Sequence, residues 1–188
     1  TTTNKSGTLK SIGILGVPKN MVLDNYKVKM ESNRKIKLVF IQPKSAFVSE
    51  AIPLGFGYLA AAAKKHGAEV KIIDATAPYA NYTEEGIIKI CKDFQPDAIG
   101  IVFMTSHIYK SYDLVKKLLS LKKPIIAWGY HSSKFPDEVL ERDVDIALRG
   151  ETDVTITELI DYLKGEKQLE NIKGISYKLN GKIINNPL

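Results

Sequence analysis

The chain is poor in the residues that build covalent and metal frameworks: its 188 residues include one cysteine, Cys91, and three histidines, His66, His107 and His131. A lone cysteine excludes an internal disulfide and any cysteine cluster for zinc or for iron and sulfur within the chain, and it suits a reducing compartment. The histidines lie on different elements, without His-Glu-x-x-His spacing, so a histidine metal centre has little support. Long apolar runs are also missing. None approaches the roughly 18 residues that span a bilayer, and the polar opening Thr1 to Lys10 lacks the basic-then-apolar layout of a secretory signal, so a cytoplasmic location is expected. No Gly-x-Ser-x-Gly elbow, Gly-x-x-x-x-Gly-Lys-Ser/Thr phosphate loop or complete Gly-x-Gly-x-x-Gly motif is present; Gly55-Phe56-Gly57 lacks the third glycine. Nor does the chain carry the aspartates of a phosphorylated receiver, because its first strand runs Phe40-Ile41-Gln42 and its third ends at Phe103-Met104.

What is present reads as one globular domain, 44% apolar and 26% charged. The net charge of +6 comes from lysines spread along the chain, with no run of five and no interleaved aromatics. That pattern is solvated surface, so neither nucleic acid nor a membrane is expected as a partner. Cys91 follows Ile88-Lys89-Ile90 on the apolar side of a helix and is expected to be an inert core thiol.

From Lys35 onward, β-branched runs alternate with amphipathic stretches. Strands are expected over Ile36 to Ile41, Val70 to Ile73, Asp97 to Phe103, Pro124 to Trp128 and Val144 to Leu148. Helices are expected over Leu54 to His66, Thr83 to Phe94, Tyr109 to Leu121, Pro136 to Leu140 and Thr155 to Leu163, with Gly67 and Gly165 ending two of them and Thr83 capping another. Five such units predict an α/β, flavodoxin-like (Rossmann-like), doubly wound five-stranded parallel sheet of order 2-1-3-4-5. After Gly165, two short runs flank Asn180-Gly181, a pair suited to a tight turn, and predict a C-terminal β-hairpin connector over 166–188. Residues 1–34, with the single apolar run Ile12 to Val17, are an extension that is either an added edge strand or a disordered lead-in. The chain stops at Asn185-Asn186-Pro187-Leu188 without a capping element, which predicts that it continues in a larger polypeptide.

In this topology ligands bind at the carboxyl ends of the strands, so five loops matter. The first, Gln42 to Pro53, is long enough to line a pocket or act as a lid, and Leu54 and Gly55 open the helix that follows it. Gly55 and Gly57 either let the backbone approach a ligand or simply pack the helix on the sheet. Thr105 and Ser106 offer hydroxyls after the third strand, as helix caps or as ligand contacts. In Trp128-Gly129-Tyr130-His131, Gly129 permits close approach while Tyr130 and His131 suit a flat ligand; a loop histidine merely exposed to solvent is the plainer alternative. Gly150, Glu151 and Thr152 present backbone N–H groups at a helix start, with the negative charge of Glu151 opposing an anion there.

Taken together, Lys37-Leu38-Val39-Phe40-Ile41-Gln42-Pro43, Pro53-Leu54-Gly55-Phe56-Gly57-Tyr58-Leu59-Ala60, His66-Gly67-Ala68-Glu69-Val70-Lys71-Ile72-Ile73-Asp74, Trp128-Gly129-Tyr130-His131 and Arg149-Gly150-Glu151-Thr152 resemble the N-terminal cobalamin-binding domain of cobalamin-dependent radical S-adenosylmethionine enzymes. The tail from Ile172 also resembles the connector those enzymes carry before their radical barrel. The resemblance implies cobalamin across the carboxyl edge. Pro43 and its loop would lie under the corrin with Leu54 and Gly55 alongside, and Thr105 and Ser106 would face the benzimidazole end. Gly129, Tyr130, His131, Gly150, Glu151 and Thr152 would frame the nucleotide tail. It also implies a covalently linked barrel, absent from this chain, that holds S-adenosylmethionine and a [4Fe-4S] cluster, and a methyl transfer or related radical reaction in the whole enzyme. Two departures stand out: the Gln42 to Pro53 loop has no histidine to ligate cobalt, and Trp128 stands where the family has glycine. The alternative readings are a cobalamin-free domain of this shape that recognises a substrate or partner, and a flavin-binding domain.

Overall fold

The computed structural model describes residues 34–45, 53–78 and 80–188. The run Ile12 to Val17 and most of the loop after the first strand therefore lie outside the described residues. The elements are β1 (Lys37–Gln42), α1 (Leu54–Lys65), β2 (Glu69–Asp74), α2 (Glu84–Phe94), β3 (Ala98–Val102), α3 (Ile108–Leu118), β4 (Ile125–Trp128), α4 (Tyr130–Lys134), α5 (Pro136–Glu141), β5 (Ile146–Leu148), α6 (Thr152–Lys164), β6 (Ile175–Leu179) and β7 (Lys182–Asn185). Short 3₁₀ turns at Thr105–His107 and Leu119–Leu121 bracket α3.

The five expected strands pair in parallel in the order 2-1-3-4-5. The hairpin does more than connect: β6 pairs antiparallel with β5 and β7 with β6, extending the sheet to seven strands. Its turn falls at Asn180 and Gly181, whose φ values of 51° and 76° suit that pair.

Alternation along each strand divides the core between the two faces of the sheet. Leu38 and Phe40 of β1 pack with Phe56, Leu59 and Ala63 of α1 and with Ile156, Leu159 and Ile160 of α6. Val39 and Ile41, pointing the other way, pack with Ile87 of α2 and Val115 and Leu118 of α3. Helices on both sides explain why β3 and β4 are buried throughout and read as unbroken apolar runs. Gly100 in β3 is dictated by its neighbour, since a Cβ there would lie 2.6 Å from the Phe40 ring.

Helix ends follow the sequence signals. The Thr83 side chain accepts from the Gly86 N–H at 3.0 Å, a cap contributing about 1 kcal/mol. At the end of α1, His66 Nε2 meets Asp161 of α6 at 2.6 Å, joining the two helices that cover one face. Cys91 is buried, and that burial pushes its thiol up to about 11, with Lys71 opposing weakly. A thiol so displaced is almost wholly protonated at pH 8. An aromatic disulfide reagent is therefore expected to label the native chain negligibly at pH 8 and stoichiometrically in denaturant; rapid native labelling would mean that α2 opens readily.

Candidate functional site

The sheet brings the loops after β1, β3, β4 and β5 to one edge, and hydrogen bonds knit the last three together. Val102 and Trp128 are paired in register at the ends of β3 and β4, and the Phe103 N–H donates to Trp128 O at 2.7 Å. The chain then turns at Gly129, whose φ of 109° and ψ of −176° lie in a region open essentially to glycine alone. A Cβ at Gly129 would lie 3.0 Å from both Phe103 O and Val102 Cγ2, so the turn presses directly on β3. Immediately afterwards, the His131 N–H returns to Phe103 O at 2.9 Å.

Ser132 and Ser133 carry the stitching to the fifth loop. Ser132 Oγ donates to Gly129 O at 3.0 Å and approaches Leu148 O at 3.3 Å, while Ser133 Oγ donates to Gly129 O and accepts from the Gly150 N–H at 3.2 Å. Sequence reading missed both serines, although they follow His131 directly. The Gly150 N–H, expected to face a ligand, is already engaged by Ser133.

Thr105 and Ser106 do not cap helices. Thr105 Oγ1 lies 3.1 Å from His131 Nδ1, and Ser106 Oγ lies 3.1 Å from His107 Nδ1. The other His107 nitrogen is 3.2 Å from Gln42 Nε2, linking the ends of β1 and β3, and burial pulls the His107 ring below its ordinary value. A neutral ring fits these contacts, with Nδ1–H donating to Ser106 and Nε2 accepting from the Gln42 amide. His131 is not the exposed loop residue of the plainer alternative. It is 5% exposed, tilted against Phe135 at 5.0 Å, with Glu138 Oε2 3.6 Å from its Nε2.

Trp128 points to the α1 side. Its indole meets Phe56 and Phe40 edge-on at 4.6 and 6.4 Å, and a Cβ at Gly55 would touch it at 3.5 Å. The space between β4 and the first turn of α1 is thus filled. Trp128 Nε1 is buried without a hydrogen-bond partner among the described residues.

Around this edge the apolar side chains Leu54, Met104, Tyr130 and Val154 are exposed beside the polar Thr105 and Ser106. Glu151 and Gly150 are exposed as well, and Thr152 is half-buried at the start of α6. Pro43 faces a different space. With Lys44, Ala75, Tyr82, Ile87 and Leu114 it lines a cavity of about 390 Å³ on the α2–α3 side. Arg149 serves as an anchor: its guanidinium donates to Ile175 O and Asn186 O, holding the end of the hairpin, and burial pulls it below its ordinary value. The adjacent segment reaches the edge, so that Leu188 Cδ2 lies 3.8 Å from a Cβ placed on Gly150. Among the described residues, no group of three His, Cys, Asp or Glu side chains is arranged to hold a metal ion, and no helix is long and apolar enough to cross a membrane.

Comparison with known proteins bears on the occupant of this edge. The chain is 36% identical over 139 residues to an uncharacterized methyltransferase of Pyrococcus horikoshii, covering 72% of this chain and 30% of that protein. It is 28% identical over 180 residues to the cytidylyl-2-hydroxyethylphosphonate methyltransferase of Streptomyces wedmorensis, covering 82% and 34%. The chain thus spans about a third of the length of these relatives. Among solved structures, its fold is shared by the cobalamin-dependent S-adenosylmethionine radical enzyme OxsB, with aqua-cobalamin and S-adenosylmethionine bound (TM-score 0.73, 20% identity, 89% of this chain and 27% of that one). It is also shared by the radical S-adenosylmethionine methyltransferase TsrM from Kitasatospora setae (TM-score 0.70, 15% identity, 80% and 30%). The model of the B12 binding domain matches residues 45–160, more than half of the sequence, and the chain belongs to that family.

Proposed function

We propose that the chain holds cobalamin over the carboxyl edge of its sheet, as one module of a longer radical S-adenosylmethionine methyltransferase-like protein. The observation that carries this reading is the Gly129 turn, where a backbone conformation reserved for glycine holds three loops together beneath exposed apolar side chains. Strained backbone of this kind persists where the surrounding structure fixes it, and it concentrates at ligand sites.

The residues fit the group. Leu54, Met104 and Tyr130 offer apolar contact to a corrin ring, and the exposed Gly150 lets it approach the backbone. Thr105, Ser106, Tyr130, Glu151 and Thr152 supply polar contacts around it, while Pro43, turned toward the α2–α3 cavity, does not join them. Cobalamin supplies a cobalt centre able to carry a methyl group. This chain's residues bind and orient it, and the catalysis, with its S-adenosylmethionine and iron–sulfur cluster, belongs to a linked barrel.

Filling of the gap between β4 and α1 by Trp128 favours a second reading, a domain of this family that recognises a substrate or partner without retaining cobalamin. Mixing the purified chain with hydroxocobalamin, desalting, and recording the visible spectrum separates the two. The first reading expects retained corrin absorbance, nearly lost in Gly129→Trp and unchanged in Cys91→Ser. A colourless, folded wild-type chain would overturn the first.

A further inference from the structure

We propose that the cavity between α2 and α3, at the carboxyl end of β1, binds a small organic anion, whose apolar body rests against the sheet and whose acidic group lies between Lys44 and Lys110. The site is separate from the Gly129 edge, and the proposal does not rest on the cobalamin reading.

The cavity follows from the order of the strands. After β1 the chain crosses to the face covered by α1 and α6, whereas β2 and β3 send α2 and α3 to the other face. The end of β1 therefore has no helix of its own on the α2–α3 side. Open sheets take ligands in the crevice that such a reversal leaves at the carboxyl ends of the strands. Here the crevice has a volume of about 390 Å³, within the range of small-molecule sites.

Its interior and its rim differ in chemistry. Pro43, Ala75, Ile87 and Leu114 line the interior, and all four are buried. Tyr82, 36% exposed, adds an aromatic ring to the lining. At the rim stand two exposed lysines, Lys44 from the loop after β1 and Lys110 from the first turn of α3, and neither has an ion-pair partner among the described residues. Glu84, the one carboxylate among the described lining residues, is already engaged, because it pairs with Lys117 of α3. Asp74, beside Ala75, accepts from the N–H and the hydroxyl of Thr76. An entering anion thus meets two uncompensated positive charges above apolar walls. The Glu84–Lys117 pair and the Thr83 cap fix the first turn of α2, so those walls stand before a ligand arrives.

Titration of the ¹⁵N-labelled chain with phenyl phosphate tests the proposal, with inorganic phosphate and phenol as the two halves of the probe. Saturable shifts of the Ala75, Thr83, Ile87 and Lys110 amides are expected. Phenyl phosphate is expected to bind about tenfold or more tightly than either half, because only the whole probe buries a ring and places a charge together. Lys44→Ala and Lys110→Ala each weaken it about two- to fivefold, the scale of an exposed ion pair, while Lys64→Ala, in the last turn of α1, changes nothing. Full affinity in both rim variants, equal affinity for inorganic phosphate, shifts centred on Thr105 and Gly150, or no saturation by roughly 10 mM phenyl phosphate would each overturn it. The probe contains no corrin, so failure here is distinct from failure of the cobalamin reading.

Discussion

Gly129→Ala is expected to lower the unfolding free energy by about 2–4 kcal/mol, whereas Gly57→Ala, the same chemical change two turns of structure away from any strain, raises it by about 0.5–1 kcal/mol. At Gly129 the new methyl group would meet Phe103 O and Val102 Cγ2 at 3.0 Å, in a backbone conformation alanine avoids. Backbone oxygen cannot move aside as a flexible side chain can, so the chain must abandon the turn. At Gly57, in the exposed face of α1, no atom of the described residues lies within 4 Å of the added Cβ and the backbone is helical. Alanine there only restricts the unfolded chain and favours the helix. For a domain of this size, the Gly129 loss corresponds to a fall in Tm of roughly 4–16 °C. Thermal unfolding followed by circular dichroism checks both, and equal shifts for the two variants would mean that the Gly129 turn is not strained.

Trp128→Ala is expected to cost about 3–5 kcal/mol, and Trp128→Phe about 1 kcal/mol or less. Truncation to alanine removes the indole from between Phe40, Phe56 and Gly55 and leaves a cavity in the core. Phenylalanine loses some of that packing. It also removes an N–H that is buried without a partner among the described residues, and whose desolvation now opposes folding. Denaturant titration of the two variants decides the point. Comparable losses for both would show that the indole N–H is hydrogen-bonded in solution.

The strands and main helices were legible because β1, β3, β4 and β5 are buried on both faces and several helices are punctuated by a residue with one mechanical job, such as Thr83 at the start of α2. The edges were less legible for physical reasons. The Pro136 helix is preceded by a second one, α4, because Gly129 turns the chain sharply enough to start a helix at Tyr130. No periodicity reveals so short an element. The hairpin read correctly as a hairpin, but its pairing to β5 is a tertiary choice, fixed by Arg149 gripping the carbonyls of Ile175 and Asn186. Within the candidate site, residue types were readable but their partners were not. Glu138 lies seven residues beyond His131 on another helix, and Tyr112, whose hydroxyl donates to Glu138, comes from α3. Their meeting depends on how α3 and α5 pack on the same face of the sheet.

The central claim is that cobalamin lies across the carboxyl edge of the sheet. Paramagnetic cob(II)alamin added to the ¹⁵N-labelled chain tests it residue by residue, because amide signals broaden steeply with proximity to the cobalt. The account predicts loss of the signals of Thr105, Ser106, Gly129 to His131 and Gly150 to Thr152, with Asp97, Lys122, Asp143 and Gly165, which lie beside the opposite strand ends or at the end of α6, left sharp. Broadening centred on the opposite edge, or none at saturating cob(II)alamin, would contradict it.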